Sequence, residues 1–274
     1  MKQAIQCISA VAQLTFLDGL RKQTLLGLIV LALLLECSGI FFMDFFGHDI
    51  GRASSDFLLS VIWLAGLVFL FFHAVQTIAL SEERKSIYMI LSRPISRSQY
   101  VLGTFIGLAS LLLILQASLG VVAWFSLLWI KTQLDVQYFA VFNHGYFVLS
   151  LFGLMLMQCC VLAIIMLFCG MLRGSFLVLM MSIAYYFICS SIPVVLEAVK
   201  QQISSVQEGD NFYYLLQGLA LIFPDFSRLD FKDAILEMNP SLVAVDTVSA
   251  FVLSALYLVI VLTCACYLYS RRDL

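Results

Sequence analysis

The sequence predicts an all-α, polytopic membrane protein: six transmembrane helices, both termini cytoplasmic, an N-terminal interfacial helix, and an outer re-entrant or interfacial segment. Three observations predict it. Apolar residues make up 62% of the 274 positions and charged residues only 12%, about half the charged share of a soluble domain; the mean hydropathy is +1.02. The apolar residues come in continuous runs long enough to cross the hydrocarbon core as helices, without the alternation of a transmembrane barrel. The cations are divided unequally among the connections. So few charges cannot wet the surface of a soluble globule, and so apolar a chain does not stay disordered.

The whole chain, 1–274, reads as a single transmembrane domain. Residues 1–22 form the interfacial helix. Lys2, Gln6, Ser9 and Gln13 fall on one stripe at helical spacing, and Ile5, Ile8, Ala12, Phe16 and Leu20 on the opposing one. The glutamines interrupt any signal-peptide core. Residues 24–199 carry five spans, at Thr24–Met43, Phe57–Leu80, Val101–Ile130, Tyr146–Met171 and Ser175–Val199. Pro193 predicts a kink late in the fifth. Residues 200–246 are an outer segment. Its apolar run Phe212–Phe223 is too short to span and is followed by Pro224 and a charged stretch. Residues 247–274 hold the sixth span and the C-terminus.

Orientation follows from lysine and arginine. Ten of the fifteen fall on the side of the termini, among them Arg21, Lys22, Arg84, Lys85, Arg93, Arg97 and Arg173. Five fall on the other: Arg52, Lys131, Lys200, Arg228 and Lys232. The richer side is predicted to be cytoplasmic. Trp63, Trp124 and Trp129 fall near outer ends of spans, as interfacial aromatics do.

Reactive chemistry is sparse. There is no G-x-x-x-x-G-K-[ST] loop and no G-x-G-x-x-G, so neither sequence route to a bound nucleotide phosphate is present. H-E-x-x-H and a G-x-S-x-G elbow are missing too, and no basic patch favours nucleic acid. No catalytic residue and no metal ligand is assigned. Met155, Met157, Cys159, Cys160, Met166 and Cys169 collect soft donors in the fourth span. Such residues also pack apolar helices, and the packing reading is preferred. Polar groups inside spans are rare by default. Glu36, His73, Gln76 and Gln116 are the candidates for a translocation pathway, with Gln158 a further amide in the fourth span. The competing reading for each is an interhelical hydrogen bond or, for Glu36, a snorkel to the outer interface.

The most informative segment is 81–100. Ser81 can cap a helix whose first turn holds Glu82 and Glu83, favourable to the helix dipole. Ile87, Ile90 and Leu91 share one face, and Pro94 ends the helix. Ser96 and Gln99 make a capping box for the next helix, with Ile95 and Tyr100 as its hydrophobic staple.

The pattern Glu83-x-x-Ser86-Ile87-x-x-Ile90-Leu91-Ser92-x-Pro94-Ile95-Ser96-Arg97, followed by Leu102-Gly103, resembles the coupling region of ABC-2 type transporter permeases. Asp18-Gly19-Leu20-Arg21 resembles their approach to the first span, and Arg271-Arg272-Asp273 their common terminus. Phe223-Pro224-Asp225-Phe226-Ser227-Arg228-Leu229-Asp230 resembles the outer segment of the six-span branch, which includes the permeases of nitrous-oxide-reductase maturation and of gliding motility. Lys85-Ser86 and Gly103-Thr104 depart from the family's usual Gly-Thr and Gly-Lys.

The resemblance implies the membrane subunit of an ATP-binding-cassette exporter in a bacterial inner membrane. It would be no enzyme itself and would bind no cofactor; ATP and Mg would be used by a separate ABC ATPase partner. It implies pairing with a second permease chain, identical or different, and Glu83, Ile87, Leu91, Pro94 and Arg97 as the ATPase-coupling residues. The substrate is not readable. The alternatives are a secondary transporter or channel without an ATPase, whose ion coupling would run through Glu36 or His73, and a membrane assembly protein.

Overall fold

In the computed structural model the described residues are 2–42, 50–83, 95–133, 143–203, 218–219, 223–232, 235 and 241–271. They are helical throughout apart from turns, with no strand among them. In chain order the helices are α1 (Lys2–Arg21), α2 (Thr24–Phe42), α3 (Ile50–Val68), a π-helical turn (Phe69–Ala74), α4 (Val75–Glu83), α5 (Arg97–Gln133), α6 (His144–Met171), α7 (Ser175–Ile203), a 3-10 turn (Phe226–Leu229) and α8 (Ser241–Arg271). Among the described residues, five stretches are long and apolar enough to cross a bilayer: Gly51–Ala79, Arg97–Thr132, His144–Met171, Ser175–Val199 and Thr247–Arg271. A shorter apolar stretch, Thr24–Gly39, lies in α2. With 19 residues, α2 is about 28 Å long, close to the ~30 Å hydrocarbon thickness.

Two helix starts follow local capping signals, but the start read at Ser81 does not. Ser81, Glu82 and Glu83 continue α4, which begins at Val75, instead of opening a new helix, because the helix of the span runs on without a break. Ser96 and Gln99 form the reciprocal box at the start of α5. The Ser96 backbone N–H donates to Gln99 Oε1 at 3.0 Å, and the Gln99 N–H donates to Ser96 Oγ at 3.3 Å. The Asn143 side chain accepts from Gly145 N–H at 2.9 Å and starts α6. Between α6 and α7 the chain reverses at Gly174, whose φ of 109° only glycine adopts without strain. Between α1 and α2 the turn has Gln23 at φ 30°, and the Lys22 carbonyl accepts from Thr24 N–H. The helix α7 continues through Pro193. Proline lacks the N–H that would have bonded back to the Cys189 carbonyl.

Three pairings organise the bundle. The first is α1 against α5. A Cβ on Gly103 would fall 2.6 Å from the Val11 side chain and 3.0 Å from the Ile8 carbonyl; one on Gly107 would meet Ala12 O and Thr15 at 2.8 Å. Further along, Gly19 lies against Leu111. The two helices therefore run side by side in the same direction, held close by a Gly-x-x-x-Gly face. This alters the stripe read from the sequence: the packed face is Val11, Thr15 and Gly19, flanked by half-buried Ile8, Ala12 and Phe16. Ile5 and Leu20 point outward, 62% and 42% exposed. The second is α2 against α3, antiparallel, with Thr24 beside His73 and Gly39 under the Phe57 ring. The third is α6 against α8, parallel: Cys160 Sγ donates to Ser254 O at 3.5 Å, and Gly170 faces the Tyr269 ring.

The outer-segment run 212–223 falls largely outside the described residues. Past it, residues 223–232 fold into the bundle as a small wedge. Asp225 caps the 3-10 turn by accepting from Ser227 N–H at 3.0 Å, and it pairs with Arg228 at 3.1 Å. Phe226, Leu229, Phe231 and Ile235 are buried.

Candidate functional site

The structure gives the polar groups of the spans definite places. On α2, Leu25, Ala32, Glu36 and Gly39 form the buried face. Glu36 has no exposed surface, and neither carboxyl oxygen has a hydrogen-bond partner among the described residues. An apolar environment disfavours a charged carboxylate, so an unpartnered buried acid is a costly group to keep unless it is used.

His73 sits within the π-helical turn, which inserts extra backbone into one turn and re-aims its side chains. Its ring stacks on Phe69 at 5.0 Å between centroids, and Nδ1 shares a 2.9 Å hydrogen bond with Thr24 Oγ1. Nε2 faces Gly19, where a Cβ would lie 3.3 Å away, and has no partner among the described residues. Gln76, just beyond the π turn in α4, points outward. The Gln116 amide donates to the Leu151 carbonyl at 2.8 Å, tying α5 to α6. The Gln158 amide, fully buried, donates to the Trp63 carbonyl at 3.5 Å and lies over the Cα of Gly66, tying α6 to α3.

No hydrogen bond among the described residues joins Glu36, His73, Gln76 and Gln116 to one another. His73 and Gln116 instead each bridge a different pair of elements. Gln158, outside the pathway candidates, makes a third bridge, longer at 3.5 Å but seated over the bare Cα of Gly66. Its sequence signal is an amide in one span that needs a side-chain-free residue opposite.

The coupling candidates divide. Glu83 ends the described part of α4, and Ile87, Leu91 and Pro94 lie outside the described residues. Arg97 is the first residue of α5, and its Nη1 donates to the carbonyls of Tyr269 and Ser270, both at 3.4 Å. A guanidinium at these carbonyls satisfies acceptors that the last turn of α8 leaves open and complements the negative end of its dipole. The start of α5 is thereby anchored to the end of a second membrane helix.

The soft donors of α6 lie in or against the packed core, with Met155 partly buried against it and Cys159 half-buried. Met157, Cys160, Met166 and Cys169 belong to the buried core. No group of three or more His, Cys, Asp or Glu among the described residues is arranged to hold a metal ion.

A family model described as ABC-2 family transporter protein matches residues 56–274, from within α3 to the C-terminus. Among curated proteins, none matches the chain.

Proposed function

The chain belongs to the ABC-2 transporter family, and from that premise we propose that it is the membrane-spanning half of an exporter driven by a separate ATPase. Family membership makes it a permease component of an ABC transporter, multi-pass in a membrane and associated with an ABC ATPase subunit. In the finer reading it crosses a bacterial inner membrane six times with both termini in the cytoplasm. It pairs with a second permease chain and moves its substrate outward. ATP and Mg are bound and used by the partner, and this chain binds no cofactor. The chain divides as 1–22, 24–199, 200–246 and 247–274, with segment 81–100 as the coupling element.

The observation that carries the reading is the family match across a bundle of long apolar helices. Anchorage of Arg97 on the end of α8 supports the coupling role, because a push on segment 81–100 then reaches two helices at once. Glu83, Ile87, Leu91, Pro94 and Arg97 take the motor's displacement. Glu36, His73, Gln76 and Gln116 are proposed as the polar groups near the substrate's path.

The test is Ile87→Asp with Leu91→Asp. A helix seated in a groove draws its affinity from apolar anchors one turn apart. Each buried aliphatic side chain contributes roughly 1.5–3 kcal/mol. Charging both should weaken ATPase binding at least about tenfold while leaving membrane insertion intact. Full co-purification of the ATPase, with hydrolysis still stimulated by the permease, would show that the segment is only a connector.

A further inference from the structure

The wedge at residues 223–232 touches four helices at once. The Phe223 ring lies against Tyr185 of α7 at 5.1 Å between centroids, and the Phe226 ring stacks on Tyr186 at 6.1 Å and 21°. The Phe231 ring stacks on Phe251 of α8 at 5.7 Å and 12°. The Leu229 carbonyl and the Phe231 ring press on Gly153 of α6, where a Cβ would fall 2.5 Å from that carbonyl. On the remaining side, Lys232 Nζ reaches Ser60 Oγ of α3 at 3.4 Å and pairs with Asp230 at 3.5 Å.

The two helices it separates, α7 and α8, have no extensive helix–helix face of their own among the described residues. Among the described residues they are joined by the 2.6 Å hydrogen bond between the Tyr185 and Tyr257 hydroxyls, and the wedge packs against both. Cys189 lies one turn further along α7 from Tyr185 and is fully buried.

We infer that residues 223–232 are a removable stopper in the seam between α7 and α8, and that its withdrawal is the outer opening step of the transport cycle. The inference rests on the permease reading. The construction of the wedge fits withdrawal. It is a short unit closed on itself by Asp225, and it is seated by ring stacks rather than by a shared backbone ladder. Its inner side is apolar, while Ser227, Arg228 and Asp230 are exposed on its other side. Such a unit can leave and return without unfolding a helix. Its departure leaves α7 and α8 joined by the tyrosine pair and exposes the surface around Cys189.

The test uses the full chain with its ATPase, with Cys189 as the sole cysteine, and a membrane-impermeant maleimide added from the outer side of right-side-out vesicles. At rest, labelling of Cys189 should be slow. Phe226→Ala with Phe231→Ala should speed it at least fivefold without any nucleotide. ATP with vanadate should speed it comparably in the otherwise native chain. Tying Phe231→Cys to Phe251→Cys with a short bifunctional thiol reagent should abolish the ATP-dependent rise. This arm joins two positions already in contact and so does not depend on a weakened fold. Labelling that ignores the loosening pair, or an ATP-dependent rise that survives the cross-link, would overturn the stopper. Faster labelling on loosening, combined with failure of any ATPase to co-purify, would instead overturn the permease reading and leave the wedge standing.

Discussion

Gly66 shows how a single position is decided by a residue on another helix. The Gln158 amide fills the space that a Cβ at Gly66 would need. Gly66→Ala forces either the amide or α3 to move. Overpacking of this kind costs roughly 1–3 kcal/mol, and the buried amide also loses its bond to the Trp63 carbonyl. The purified protein should unfold at a lower temperature, and Gln158→Ala in the same chain should recover most of the loss by vacating the space. A double variant no better than Gly66→Ala alone would mean that the glycine serves something other than this contact. At this scale the sequence is legible for what is unusual and silent on what meets it. Glu36, His73, Gln116 and Gln158 stand out because polar groups are rare in apolar runs. That Gln116 bonds a backbone carbonyl on α6, whereas Glu36 finds no partner among the described residues, depends on how the helices are set against one another. A lone sequence does not contain that register.

Elements are legible when local chemistry ends them and illegible when lipid removes the usual signal. The capping box at Ser96 and Gln99 and the start of α6 at Asn143 are local, and both form as their residues dictate. The face of α1 is a different matter. In water the large apolar residues mark the buried side of a helix, but against lipid they have no need to be covered. Leu14 and Leu17 stay more than half exposed, while Val11, Thr15 and Gly19 pack. Between membrane helices the marker is small residues at four-residue spacing, because they let backbones approach. Gly103 and Gly107 carry that marker in α5. Replacing both by leucine should drive side chains into Val11, Ala12 and Thr15 and lift α1 from α5. We expect the half-buried thiol of Cys7 to react several-fold faster with a maleimide in that variant, and the midpoint of thermal unfolding to fall. Unchanged Cys7 reactivity would show that α1 is held by something other than the glycine face.

For the whole molecule, the question is which ends of the helices share a side of the membrane. Packing brings three of them together: Arg97 reaches the Tyr269 and Ser270 carbonyls, and Gly170 faces the Tyr269 ring. The start of α5, the end of α6 and the end of α8 therefore lie at one end of the bundle. Arg97, Arg173 and Arg271, three of the ten cations on the richer side, belong to these ends. The turn between α1 and α2 is set differently. Gly19 meets Leu111, about 21 Å further along α5 than Arg97. The 37 residues of α5 make it about 55 Å long, well beyond the ~30 Å hydrocarbon core. A helix of that length need not lie wholly within the hydrocarbon, so Arg97 and the turn at Arg21 and Lys22 can sit at different depths on one side. The cation bias then reads as one side seen at two depths rather than as two sides. Reporter fusions after Arg21, Arg93, Arg173 and Arg272 should all report cytoplasm, and fusions near Asp49, His144 and Asp230 should report the outside. An outside signal at Arg93 would invert the pair of helices flanking the coupling segment and sink the orientation. A cytoplasmic signal at both Arg21 and Asp49 would mean that α2, whose apolar stretch is the shortest among the described residues, enters without crossing, leaving five spans and placing the two termini on opposite sides.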